Sequence, residues 1–341
     1  MEEVAKSRFF VVFLAAGLII LFLTLLIVGR FAITVADLGS MLDAFFSGRA
    51  VAGDLVTKQL VFWWIRLPRT LMAILVGMGL SVSGAVYQAL FRNPLVSPDI
   101  LGVAAGCTFG AALGLVLPGQ NYSLIPLLSL SFGLLAVTMT VVIARLISVK
   151  PVIVLVLAGM VILSFFNALL MVLKYFSDPY EELPSIVFWI MGSLSRVTWH
   201  DLMILAPTVV IGLIFFMAMR FRLNILSLGD IQAKSLGLNP SLFRLVLIFI
   251  SSLIVALTVA SCGQICWIGL IIPHMARTLV GPDHQRMLPV TALLGAIFLL
   301  GADGLARSLS TAEIPVGIIT ALSGAPIFAF LLYKNRGSGW V

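Results

Sequence analysis

Residues 100–144 read ILGVAAGCTFGAALGLVLPGQNYSLIPLLSLSFGLLAVTMTVVIA, a stretch with no Asp, Glu, Lys or Arg. A bilayer core of about 30 Å is crossed by about 20 apolar residues in a helix. The stretch is therefore too long for one crossing and the right length for two. Pro118-Gly119-Gln120-Asn121 supplies the break, because Pro and Gly beside polar amides mark a turn. Two adjacent crossings in one uncharged run make this a polytopic membrane chain. The whole sequence agrees. Of 341 residues, 61% are hydrophobic and 10% charged, where a soluble domain carries about 25% charged residues. Mean hydropathy is +1.17. Such a chain cannot cover itself with polar surface, which excludes a soluble enzyme, a nucleic-acid reader and a disordered scaffold.

Other charge-poor runs place the remaining spans. We expect ten: residues 9–29, 70–91, 100–117, 124–144, 152–173, 202–219, 245–262, 264–279, 287–302 and 314–332, with Gly263-Gln264 dividing the seventh from the eighth. The 21 uncharged residues from Phe9 to Gly29 are too long for a signal-peptide core and read as an uncleaved first span. With the N-terminus inside, 13 of the 21 basic residues fall on inner segments, among them Arg92, Arg145, Arg220, Arg222, Lys234 and Arg244. Most acids fall outside. The bias follows the positive-inside rule and puts both termini in the cytoplasm. The net charge of +7 is thus membrane topology rather than a nucleic-acid footprint.

Three connections exceed simple turns. Arg30–Lys58 and Asp178–Trp199 are outer segments, the second with an apolar stretch, Leu183–Leu194, too short to span. The inner segment 220–244 is long enough to fold on its own. Within it, Leu228–Leu238 reads as a short amphipathic helix ended by Gly237, with Leu228, Ile231 and Leu236 packed on the bundle and Asp230, Gln232 and Lys234 facing water; a further helix begins at Pro240.

No catalytic constellation is visible. His200, His274 and His284 are scattered, there is no phosphate-binding GxxxxGK[ST], and Cys107, Cys262 and Cys266 read as small buried hydrophobes rather than a disulfide framework. Gly102, Gly106, Gly110 and Gly114 recur every four residues, a smooth stripe that lets a neighbouring helix approach, most simply within the chain; Gly77, Gly79, Ser81 and Gly84 do the same for the second span. Span centres hold almost no ionisable residues, unlike those of ion-coupled carriers. The residues alone say transporter, with an ion-coupled secondary transporter as the rival to a partner-driven one.

Seven motifs then converge on one family. Arg66-Leu-Pro-Arg69-Thr, Gly84-Ala-Val-Tyr-Gln-Ala-Leu-Phe-Arg-Asn-Pro-Leu95, Pro98-Asp-Ile-Leu-Gly102, Gly269-Leu-Ile-Ile-Pro-His274-Met-Ala-Arg277, Ala302-Asp-Gly-Leu-Ala-Arg307, Glu313-Ile-Pro-Val-Gly317 and Gly324-Ala-Pro-Ile-Phe328 resemble the FecCD-type permeases, in order, from Arg66 to Lys334. These are the membrane subunits of ABC importers for iron–siderophores, haem, vitamin B12 and related chelates. The resemblance implies an all-α, ten-helix bundle of the type II importer permease kind. It implies a second permease copy, two cytoplasmic ATPase subunits that carry the ATP and Mg, and an extracytoplasmic binding protein. The chain itself would bind no cofactor or metal and hydrolyse nothing. By position, Arg66, Arg69 and Arg307 match the outer arginines that grip acidic residues of the binding protein; the alternative for any of them is snorkelling or an intrachain pair, for example Arg307 with Asp303 or Glu313. Asn93 and Ser148 match the cytoplasmic gate, Ser148 less well because Lys150 follows it. Gly229, Asp230, Ala233, Leu236 and Gly237 match the helix that sits in the ATPase cleft. The fifth span, 152–173, would line the path.

Overall fold

In a computed structural model the protein is described over residues 2–29, 31–47, 53–117, 123–147, 151–310 and 312–334; it is helical throughout, with no strand among these residues. Helix α1 covers Glu2–Ile27, α2 Val35–Ser47 and α3 Asp54–Leu60, which runs through a π-helical turn, Val61–Arg66, into α4, Leu67–Phe91. A 3-10 turn at Pro98–Leu101 precedes α5, Val103–Val116; α6 is Leu124–Ile147, α7 Pro151–Phe176 and α8 Glu182–Ile190. Then come α9 (Trp199–Ser227), α10 (Asp230–Ser235), α11 (Pro240–Cys262), α12 (Ile268–Val280), α13 (His284–Ser308) and α14 (Val316–Lys334).

Eight of these helices are long and apolar enough to cross a bilayer. The third and eighth expected spans are different objects. Helices α5 and α12 have 14 and 13 residues, about 20 Å at 1.5 Å per residue, short of the hydrocarbon thickness. Each starts inside the bundle after an unwound segment. Pro98 lies against Gly269 at the head of α12, and Gly269 in turn lies against Leu80 and Gly84, midway along α4. A break in the backbone at this depth is tolerated only where protein surrounds it, and here Leu101, Ile265 and Ile268 are all buried.

Helix direction follows from side-chain register. Leu25 near the end of α1 packs on Gly304 near the end of α13, so the two run parallel. Helix α14 turns back, and the start of α1, the start of α13 and the end of α14 share one side, here the terminal face. Asn224 of α9 bonds Asp283 and His284 at the head of α13, which brings the end of α9, and with it α10, to that same face. On the opposite face lie α2, α3 and α8. Lys58 holds α3 to Asp37 of α2 at 3.1 Å, and the Trp199 indole donates to the Trp63 carbonyl at 2.8 Å.

Close packing rests on small residues. Positions 106, 110 and 114 of the glycine stripe abut the α6 backbone at Phe132, Leu128 and Ile125, so the stripe serves packing within the chain, as expected. A Cβ on Gly84 would stand 1.9 Å from the Gly269 carbonyl oxygen, and one on Gly77 2.2 Å from that of Gly295. Ser81 lies between them and donates to the Thr291 carbonyl at 3.1 Å. Backbone contact of this kind gives dispersion energy without any hydrophobic drive.

Three expectations are revised. The inner segment 220–244 is mostly helix: α9 runs to Ser227 and α11 starts at Pro240, leaving 228–239 as the connection. The arrangement of α10 keeps part of the amphipathic reading, with Gln232 and Lys234 exposed, and overturns the rest. Leu228, Ile231 and Leu236 are exposed while Ala233 is fully buried, and Asp230 faces the bundle. Span centres are also less clean than expected, since Asp99 of the 3-10 turn sits in a narrow crevice with Gln264, Cys266 and Trp267. All three cysteines are free.

Candidate functional site

The chain presents one polar centre on each face. On the opposite face, Arg66, Arg69 and Arg307 border a single cavity of about 210 Å³, with Glu313, Gly29, Phe31, Val61 and Ile65 completing its wall. Arg307 is 241 residues from Arg66 in sequence; the fold joins them because α4 packs on both α1 and α13.

Each arginine is held differently. Arg66, at the end of the π turn, donates to the carbonyls of Leu26 at 2.8 Å, Ile27 at 2.6 Å and Phe31. It thereby caps the C-terminus of α1, where unpaired carbonyls and the helix dipole favour a cation. Gly29 makes room, since a Cβ there would lie 2.7 Å from the guanidinium. Arg69 is committed to two carboxylates: its Nε donates to Asp303 at 2.9 Å and its Nη1 to Glu313 at 2.8 Å. Arg307 lies 3.1 Å from the other oxygen of Asp303, and its Nη2 is buried without a hydrogen-bond partner among the described residues. Asp303 is completely buried and serves two guanidinium groups, so two carboxylates answer three arginines. One positive charge and at least one buried donor are left without a partner among the described residues.

On the terminal face α10 forms a small ledge. Asp230 takes both terminal nitrogens of Arg244, one at 2.7 Å, and Arg92 stands 4.0 Å away. The hydrogen bonds from Arg244 hold the Asp230 carboxyl below its ordinary range. Gly229 (φ 114°) and Gly237 (φ 79°) bracket the helix in conformations that disfavour side chains. At Gly237 the Leu238 amide reaches back to the Ala233 carbonyl at 2.9 Å, a Schellman closure. Ala233 sits against the bundle, and Ile231, 82% exposed, projects away with Leu236. The ledge thus carries two exposed apolar side chains on an anchored polar base.

Beside this ledge, the Asn93 side chain accepts from the Leu95 amide at 2.9 Å, an Asx turn that sends the chain back toward the 3-10 turn. Arg92 closes α4 in a left-handed conformation (φ 51°). Ser148 lies outside the described residues. Helix α7 packs one side on α5 and α6 through Ile162 and Phe166 and leaves Ile153, Leu157, Val161, Phe165 and Val172 bare. Among the described residues no cluster of three or more His, Cys, Asp or Glu could hold a metal.

Of Asp303, Glu313 and Asp99, sequence reading offers the first two as arginine partners and misses the third. Asp303 pairs with Arg307, one of the intrachain pairs the sequence offers, but the commitment of both Asp303 and Glu313 to Arg69 is visible only in the structure. Asp99 lies in a different crevice, with Gln264, Cys266 and Trp267, and its carboxylate is hidden in the sequence by the otherwise ordinary turn signal of Pro98–Gly102.

Comparison with known proteins gives the family. Residues 17–334 match the model of the FecCD transport family. The chain is 41% identical to the molybdate import system permease protein MolB of Haemophilus influenzae, over 92% of this chain and 91% of that one. It is 39% identical to the vitamin B12 import system permease protein BtuC of Klebsiella pneumoniae, over 82% and 85%. A solved structure described as an inward-facing conformation of a metal-chelate type ABC transporter superposes with a TM-score of 0.84 at 40% identity, covering 95% of this chain and 98% of that one. The chain belongs to the FecCD transport family and is a multi-pass permease of ABC importers, seated in the inner membrane.

Proposed function

We propose that the chain is half of a twofold pathway, working with a second copy of itself, two ATPase subunits and an extracytoplasmic binding protein, and that it passes a metal chelate or an oxyanion inward by ATP-driven alternating access. The observation that carries this reading is the pair of polar centres at opposite ends of one bundle: an arginine-rich cavity with spare positive charge, and an anchored ledge with an exposed apolar knob. The terminal face is then cytoplasmic, in keeping with the excess of basic residues on the segments assigned to it.

Each centre suits its role. A carboxylate from the binding protein meets Arg307, whose Nη2 has no other partner. Such a contact is charge-assisted and steers encounter as well as holding the complex. Arg66 and Arg69 keep the cavity open and positive while their own bonds fix α1, α4 and α13 together. At the other end the ATPase cleft receives Ile231 and Leu236. Asp230, through Arg244 at the head of α11 and Arg92 at the end of α4, passes the push of that cleft to two spanning helices. Asn93 and Ser148 serve the cytoplasmic gate, and α7 lines the path. The ATPase biases two discrete packings of the helices rather than deforming one. ATP and Mg reside on that partner. The relatives are named for cargoes as different as molybdate and vitamin B12, which fits a path that contacts cargo loosely and leaves selection to the binding protein.

The test is reconstitution. Permease in liposomes with its ATPase should hydrolyse ATP faster when the binding protein is added, and Arg307→Glu should abolish that stimulation while leaving ATPase assembly intact. Accumulation of solute by the permease alone under an ion gradient would instead support a secondary carrier.

A further inference from the structure

We propose that the crevice where the terminal-face ends of α6, α7 and α11 meet is a binding site for one anionic phospholipid of the adjoining leaflet. The crevice has a volume of about 340 Å³. It is lined by Val141, Ala144 and Arg145 of α6, Leu155 of α7, and Ser241, Arg244, Leu245 and Ile248 of α11. Helix α6 forms its floor, with α7 and α11 packed on either side.

The lining is sorted by depth. Ser241, Arg244 and Arg145 stand at the helix ends, the first two within five residues of the start of α11 and the third two residues before the end of α6. Val141, Leu155, Leu245 and Ile248 lie deeper. From Ser241 to Ile248 the crevice runs about 10 Å into the bilayer at 1.5 Å per residue. A polar, basic mouth over an apolar slot of this length is the shape of a phosphate headgroup with the first part of an acyl chain.

The charges point to an anion. Arg145 is exposed and makes no hydrogen bond or ion pair among the described residues. Arg244 is 3% exposed; its terminal nitrogens are spent on Asp230, but its Nε is buried with no partner. An unpaired buried guanidinium N–H is costly, and an acceptor oxygen at the mouth removes that cost. Ser241 adds a hydroxyl. Free phosphate would satisfy these donors yet leave the apolar slot empty, and an acidic side chain of a partner protein would not reach its floor. A basic pocket between helices at the cytoplasmic surface is where anionic lipid is recognised. The inference rests on the chain's place in the membrane, not on the transport cycle. It does have a consequence for that cycle, since Arg244 is also the anchor of α10.

The experiment is native mass spectrometry of the purified, delipidated permease titrated with phosphatidylglycerol or with phosphatidylcholine of matched chains. The variants are Arg145→Gln, which removes charge at an exposed position, and Leu245→Trp, which fills the slot and keeps every charge. Wild type should take one phosphatidylglycerol per chain ahead of phosphatidylcholine. Arg145→Gln should weaken that adduct about fivefold, and Leu245→Trp should weaken it with elution volume and melting temperature unchanged. Equal binding of the two lipids, or phosphatidylglycerol binding untouched in both variants, overturns the proposal. So does competition by glycerol phosphate as effective as by the whole lipid, which would make it a small-anion site. Loss of ATPase co-purification in Arg145→Gln with lipid binding intact would assign the crevice to the ATPase and overturn it as well.

Discussion

Asp230 is one side chain with two structural duties, neutralising Arg244 and fixing α10 against the bundle. Its carboxyl is held below the ordinary range by the Arg244 hydrogen bonds, so its contribution is complete above the unfolded value of about 3.9 and disappears as pH falls through the lower folded value. Amide exchange across 229–238 should therefore be slow and pH-independent, after correction for intrinsic rates, from neutral pH down to about 4, and accelerate below. Asp230→Asn should exchange fast already at neutral pH. A flat profile in the wild type would show that the ion pair does not hold the ledge. Gly84 tests a different force. A side chain there drives into the backbone of Gly269 at 1.9 Å, and neither segment can move without opening α4 from α12. Gly84→Val should cost about 1–3 kcal/mol, the usual range for overpacking, and lower the detergent melting temperature. Gly237→Ala meets nothing within 4 Å but keeps φ at 79°, and should cost about 1–2 kcal/mol from backbone strain alone. A neutral Gly84→Val would mean that the two helices are not in contact.

At the scale of elements, what was legible in the sequence is what a long apolar run can encode. Phe9–Gly29, Thr70–Phe91 and Val152–Leu173 each specify a crossing because twenty uncharged residues in lipid have no alternative to a helix. The short elements were legible only in part: a short helix closed by Gly237 and a non-spanning stretch near 183–194 were, whereas the lengths of α5 and α12 and the facing of α10 were not. Helices α5 and α12 fall short of a full crossing because Pro98 and Gly263 unwind the chain before them, and only the packing of Pro98 on Gly269 shows that the unwound parts meet inside the bundle. Helix α10 is six residues long, under two turns, so its apolar residues mark no unique face. The direction in which Ile231 points is decided by the Asp230–Arg244 pair, whose partners are 14 residues apart. The arginine cavity was legible as three motif positions, but its balance of charge depends on Asp303 and Glu313 being brought to Arg69. From the observed facing of α10 we expect Ile231→Glu with Leu236→Glu to abolish ATPase co-purification. The melting temperature should not change, since both residues are outside the core. Ala233→Leu should lower stability instead, because that position is fully buried. Retained co-purification of the double variant would move the contact elsewhere on the terminal face.

For the whole molecule, the question is where solute and water run, and the three cysteines answer it without any engineered label. Cys107 lies between α5, α6 and α11, its thiol pointing to the Ala256 carbonyl at 3.8 Å, and Cys262 closes α11 against the loop after α8. Both are buried by the chain's own packing. Cys266 is exposed in the single chain and shares its crevice with Asp99, Gln264 and Trp267, level with the middle of α4. A thiol at mid-depth on a lipid-facing surface meets only hydrocarbon, whereas one on a path between two copies meets water. A small, charged methanethiosulfonate reagent requires that water, because it neither partitions into lipid nor passes a sealed bundle. In the reconstituted transporter it should modify Cys266 and spare Cys107 and Cys262, with mass spectrometry of the intact chain reporting a single adduct that Cys266→Ser removes. The rate should change between nucleotide-free and ATP-bound states, because alternating access opens and closes that path while leaving the helix cores unaltered. A Cys266 as unreactive as the other two, in both states, would place the crevice on the lipid side and shift the path away from the junction of the two unwound segments.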